Sequence, residues 1–191
     1  MFNSSEQTIS NGNGNVQAQG DVNINNYFQN HEYIHINVYE KDIFNVIEQF
    51  EENIDLFDGF DDNIENNDLE FDLIEKERKN ELNKLSPEYF QVICDDFLPL
   101  FYKIDDFLKS PQNKEALKKY RKVACFLKHS ITAKRDKFGA FEEVLDDIVC
   151  TLVRNITISG ATIDAVNVVV FLNYMYWNCD IGRRKWNDNA K

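Results

Sequence analysis

The residues best suited to chemistry are His31, Glu32 and His35, which form an H-E-x-x-H pattern. On a helix this spacing sets two imidazoles on one face, where they can hold zinc with the glutamate beside them as a base. That reading would make the protein a metal-dependent hydrolase. The surrounding residues oppose it, because Ile34, Ile36 and Val38 alternate with Tyr33, His35, Asn37 and Tyr39 as in a strand. A strand sends Glu32 to the face opposite His31 and His35, so the three cannot converge on a metal. Glu75-x-Glu77-x-Lys79, with Asp61 and Asp62 upstream, has the donors of a magnesium-dependent nuclease, in which carboxylates hold the ion and a lysine orients water. Such a site needs its carboxylates fixed on strands, whereas Glu75 to Lys79 reads as the charged outer face of a helix. Glu142 and Asp146 share a predicted helical face at i,i+4, where they repel mildly and offer at most a weak cation site.

Cys94, Cys125, Cys150 and Cys179 are far apart, lie in apolar contexts and form no C-x-x-C pair, which predicts reduced core thiols. No nucleophile elbow, phosphate-cradling loop or dinucleotide-binding glycine pattern occurs. The expectation is a protein with no catalytic residue, no metal and no cofactor.

The elements that would position any site are helical. Val166 to Trp177 is the most apolar run, with apolar side chains on nearly every face, so it is expected to be a central helix enclosed by others. Ser159-Gly160 breaks the chain before it, and Asn178 to Gly182 caps its end. Upstream, Asp42 is the expected cap of a helix carrying Ile43, Phe44, Val46, Ile47, Phe50, Ile54 and Phe57 at helical spacing, ending at Asp58-Gly59. A second pattern spans Asn67 to Leu85, with Leu69, Leu73, Leu82 and Leu85 inward. Ser86-Pro87 opens a long aromatic helix to Lys109, in which Pro99 predicts a kink near Cys94 to Asp96. Ser110-Pro111 opens another, to about Ser130, and a last one before the central helix runs from Ala140 to about Ile156. This describes a mainly α fold, a bundle of five to six helices.

Residues 1–40 read as an Asn/Gly-rich β arm and residues 41–191 as the helical domain. From Gly12 to Ile24 every even position is glycine or apolar and every odd one is Asn, Gln or Asp. Strict period two marks a strand, and this one, with Val16, Ala18, Val22 and Ile24 on one face, is suited to pairing between subunits. A homo-oligomer is the expected outcome.

A formal charge of −12 makes the whole chain a poor binder of nucleic acid or membrane and favours protein partners. Nothing at the N-terminus resembles a secretory signal, and the central run is too short for a membrane span, so a cytoplasmic location is expected. The charge is uneven. Lys109 to Lys137 holds ten Lys/Arg against Glu115 and Asp136, a net +8. Such a helix can dock on the chain's own acidic helices, on another protein, or locally on nucleic acid. Lys114, Lys118, Lys119, Arg121 and Lys122 are its candidate partner-binding residues, joined by Arg183 and Arg184 in the basic tail.

The closing stretch, with Tyr174, Trp177, Cys179, Asp180 and Gly182 as its signature, resembles the end of the small helical C-terminal domains of ABC-three-component (Lamassu-like) bacterial anti-phage defence systems. The resemblance is carried by the last third of the chain. It implies a non-catalytic adaptor that joins an effector to an SMC-like ABC ATPase and a middle component, which together sense invading DNA. Where the family usually carries an N-terminal effector, often a nuclease, the Asn/Gly arm stands instead, which implies a stand-alone adaptor or oligomerisation subunit. Two other functions fit the composition: an acidic immunity protein covering a basic toxin or nuclease, and a hydrolase using His31, Glu32 and His35. Read physically, Tyr174 and Trp177 should bury their rings, Cys179 should fill a gap behind them, and Asp180 should accept hydrogen bonds where the chain turns at Gly182.

Overall fold

Residues 37–54 and 75–182 are described by a computed structural model of the chain. The arm residues Val16, Ala18, Val22 and Ile24, the H-E-x-x-H residues His31, Glu32 and His35, and the tail residues Arg183 and Arg184 lie outside the described residues. The described residues form six helices and no strand. They are α1 (Glu40–Glu52), α2 (Lys76–Asn83), α3, α4 (Lys114–Lys134), α5 (Phe141–Ile158) and α6 (Ala165–Trp177). Helix α3 starts as Pro87–Val92, widens into a π-helical turn at Ile93–Phe97, and continues as Leu98–Lys109.

Helix α6 is the axis. Every residue from Asn167 to Tyr176 is buried, as an all-round apolar sequence requires. Its aromatic rings engage most of the surrounding helices. Phe171 stacks on Phe50 of α1 at 6.2 Å and meets Tyr120 of α4 edge-on at 5.6 Å. Tyr174 meets Phe101 of α3 edge-on at 5.7 Å, and Tyr176 lies 4.7 Å from Phe141 of α5. Offset and edge-on pairs of this kind each add about 0.5–1.5 kcal/mol beyond the area they bury.

The outer helices follow their apolar spacing, except that Phe44 of α1, expected with the apolar set, is exposed because it lies off the stripe of Ile43, Val46, Ile47 and Phe50. Ile43, Val46, Ile47 and Phe50 of α1 and Phe141, Val144, Leu145, Ile148, Val149 and Leu152 of α5 are all buried, each set lying on a single helical stripe. Ser86 caps α3, accepting from the Tyr89 N–H at 3.2 Å. The irregularity expected from Pro99 takes the form of the π turn, which loosens the hydrogen-bond ladder just before a residue that cannot donate to it.

Several expected boundaries move. Asp42 is the third residue of α1 rather than its cap, and its carboxylate accepts from the Tyr39 N–H at 3.1 Å. An acidic side chain satisfies the same exposed amides from inside the first turn. Ser110 does not cap through its side chain: Pro111–Asn113 forms a 3₁₀ turn first, and α4 then runs on to Lys134. Gly160, with φ +80°, makes the break before α6. No helix among the described residues is long and apolar enough to cross a membrane.

Candidate functional site

Two features stand out from the packed interior: the closure of α6 and the outer face of α4. At the first, the Cys179 N–H donates to the Tyr176 carbonyl at 3.0 Å and the Asp180 N–H to the Met175 carbonyl at 2.9 Å. This paired closure places Cys179 in the left-handed region, at φ 64°, where glycine is usual. The Cys179 side chain is nonetheless buried against the core. Gly182 follows at φ +86°, and a Cβ there would lie 3.1 Å from the Tyr176 ring and 3.2 Å from Asn83 Oδ1.

Lysines of α2 reach the last two carbonyls of α6, one of which, that of Tyr176, already accepts from the Cys179 N–H. Lys76 Nζ donates to the Trp177 carbonyl at 3.1 Å and sits 3.8 Å from the centre of the Trp177 ring. Lys79 Nζ donates to the Tyr176 carbonyl and lies 3.8 Å from the Tyr176 ring centre. Both cations stand at the negative end of the helix dipole. Lys79 is 2% exposed, so the sequence reading that put it on a solvated outer face is corrected. Its aliphatic stem and its charge are both used, the first in packing and the second on the Tyr176 carbonyl, which also accepts from the Cys179 N–H.

Around it, Asn83 donates to the Lys79 carbonyl at 2.8 Å, and Arg135 donates to the carbonyls of Asn83 and, at 2.8 Å, Phe138. Glu75 and Glu77 remain exposed while Lys79 turns inward, so the nuclease-like trio does not converge. Asp180 accepts from the Tyr120 hydroxyl of α4. Burial first, and then the Asp180 charge, push the Tyr120 phenol well above its ordinary range, so it stays a donor. Tyr174 donates to Asp105 of α3 at 3.3 Å, and burial followed by the Asp105 charge likewise raises it.

Helix α4 divides its cations between two directions. Lys119 reaches Glu48 and Glu51 of α1, the latter at 3.0 Å, and Lys122 reaches Glu51 at 3.3 Å. Hydrogen bonds to the two glutamates push Lys119 up to about 12. Lys114, Lys118 and Arg121 are exposed and form no ion pair among the described residues. Their i, i+4, i+7 spacing makes one basic stripe along the helix.

The model of one protein family, C-terminal domain 12 of the ABC-three component (ABC-3C) systems, matches residues 33–182. The chain belongs to this family. The match reaches far upstream of the last third that carried the sequence resemblance, and it ends at Gly182, the residue that closes the signature. Neither a curated protein nor a solved structure matches the chain. The CTD12 domain is thus a component of a multi-component defence system.

In this CTD12 domain the signature residues Tyr174, Cys179, Asp180 and Gly182 are gathered at one end of the bundle, with Trp177 partly buried beside them. Lys119 and Lys122, singled out with Lys114, Lys118 and Arg121 for partner binding, have their charges engaged by α1. Among the described residues no group of three or more His, Cys, Asp or Glu gathers as metal ligands. Burial, and then Asp95, push the Cys94 thiol up, away from the thiolate a nucleophile needs. Sequence reasoning missed Lys79, Asn83 and Arg135. One signal was present for Lys79, which lies three residues before the buried Leu82 and so shares its helical stripe.

Proposed function

We propose that this CTD12 domain is a non-catalytic adaptor of an ABC-three-component defence complex, docking an acidic surface of another component through Lys114, Lys118 and Arg121. The observation that carries the reading is the stripe itself, which forms no ion pair among the described residues. In a chain of charge −12, three exposed cations in line on one helix are left without an ion pair among the described residues, while their neighbours Lys119 and Lys122 pair with α1. Such a stripe orients a partner and accelerates encounter. The polar groups at the end of α6 support the same reading, since they hold structure together: Lys76 and Lys79 lie on carbonyls, and Asp180 accepts from a phenol whose proton is firmly held. The partners expected in this reading are an SMC-like ABC ATPase and a middle subunit.

The test is a calorimetric titration of each co-encoded component with the wild-type domain and with the triple variant Lys114→Glu, Lys118→Glu, Arg121→Glu. The variant should keep its melting temperature and bind at least about tenfold more weakly, a loss of about 1.4 kcal/mol. Unchanged binding by the variant would overturn the α4 assignment. Binding that disappears with salt for both proteins alike would favour the acidic-decoy function instead.

A further inference from the structure

We propose that a recess between α3, α5 and α6 is a socket for one primary ammonium group, such as the end of a lysine side chain from another polypeptide or of a free diamine. It is lined by Tyr89, Glu142, Asp146 and Asn173, with Val149 and Leu172 among its apolar walls, and has room of ≈ 10 Å³ for the centre of a water-sized group. None of its lining residues belongs to α4, so the socket stands apart from the adaptor reading and can fail or survive without it.

Asn173 is the reason to expect a ligand. The residue is 0% exposed. Its amide nitrogen donates both hydrogens, to the Tyr89 hydroxyl at 3.1 Å and to the Val169 carbonyl at 2.9 Å. Those two acceptors determine which way the amide lies, because the flipped group would set its oxygen against the Val169 carbonyl. Its Oδ1 then has no hydrogen-bond partner. Leaving a buried carbonyl unmatched costs about 1–3 kcal/mol, so a native chain that keeps one at a recess calls for a donor from outside.

The chemistry of the lining selects the donor. Glu142 and Asp146 bring two carboxylates to the same recess, one turn apart on α5. Glu142 is held in place by the Ser86 N–H at 3.3 Å. A neutral water would satisfy Asn173 but would bring no charge complementary to the two carboxylates. A divalent ion would meet only two carboxylates and a largely apolar wall, where its remaining hydration shell has no place. An ammonium group is close to water in size, donates three hydrogen bonds and carries the opposite charge. The apolar side chains at the wall suit the alkyl stem behind it.

The experiment is an NMR titration of the isotopically labelled full chain, reading the Asn173 side-chain amide. The two ammonium sources are Nα-acetyl-lysine methylamide and putrescine. Controls are the Nε-acetylated lysine analogue, n-butanol and magnesium chloride. Saturable shifts in the millimolar range from either ammonium compound, absent with the controls, are expected. Tighter binding of the lysine compound assigns a polypeptide source, and tighter binding of putrescine a free diamine. Asp146→Asn should weaken binding about five- to tenfold, the loss of one unit charge a few ångströms away. If that variant does not fold, Glu142→Gln carries the same expectation. No saturable shift with either amine, an equal shift with n-butanol or the acetylated analogue, or a response to magnesium alone overturns the socket.

Discussion

Lys79 shows how a charged residue can be structural. Its ammonium donates to the last but one carbonyl of α6 and rests on the Tyr176 ring, with 2% of the residue exposed. A buried hydrogen bond to a charged group contributes about 1.5–3 kcal/mol, here on a carbonyl that also accepts from the Cys179 N–H. Lys79→Met, which keeps the stem, is therefore expected to lower stability by about 2–3 kcal/mol in denaturant unfolding with an unchanged m value. Arg78→Met is the control: Arg78 pairs with Glu81 across side chains that are 53% and 69% exposed, and such a pair contributes less than about 1 kcal/mol. Equal losses in the two variants would show that the Lys79 contact carries no special weight. Gly182 was legible from sequence as a closing turn, because a left-handed residue after an aromatic helix is most often glycine. Lys79 was hidden because charge patterning assigns Lys and Glu runs to water, and only the neighbouring helix end makes a buried lysine favourable.

At the scale of elements, the sequence placed α3, α5 and α6 well, since their apolar spacing is dense and their starts carry Ser-Pro or glycine punctuation. It did less well for α2, whose buried contacts are mostly polar and leave only Leu82 and Leu85 to signal an inward face. The docking of α4 on α1 was one of three destinations that composition left open, and it is carried by Glu48, Glu51, Lys119 and Lys122. This contact sets a pH dependence. Burial pulls the Glu51 carboxyl up, but hydrogen bonds from Lys119 and Lys122 and their charges hold it below the usual range. A depressed carboxylate contributes stability that is present above its unfolded value and is lost as pH falls through the folded one. Lys119, raised to about 12, contributes below its unfolded value and loses that only as pH climbs through 12. The contact is therefore constant near neutrality and fails on the acid side. Melting temperatures of the wild type should fall more steeply between about pH 5 and pH 3 than those of Lys119→Met, Lys122→Met, in which Glu51 has no cation to lose. Parallel curves would place the acid sensitivity elsewhere.

For the whole molecule, a helical domain and a patterned N-terminal segment make separate demands on the chain. Among the described residues α6 is surrounded, and the core reaches upstream to Val38, which is 4% exposed just before α1. The family match begins at residue 33, a few positions before that anchor. Residues 1–32 therefore lie outside the span that the family shares. Their strict alternation of small or apolar residues with amides instead suits pairing with another copy, where each strand satisfies its neighbour's backbone groups. A chain shortened to residues 33–191 keeps the whole family-matched span and is accordingly expected to melt within a few degrees of the full chain. Its mass by light scattering should fall to that of a single chain, while the full chain forms a larger assembly. The two readouts separate the two roles: a lowered melting temperature would tie the segment to the fold of the domain, and an assembly of unchanged subunit number would move self-association onto the helices.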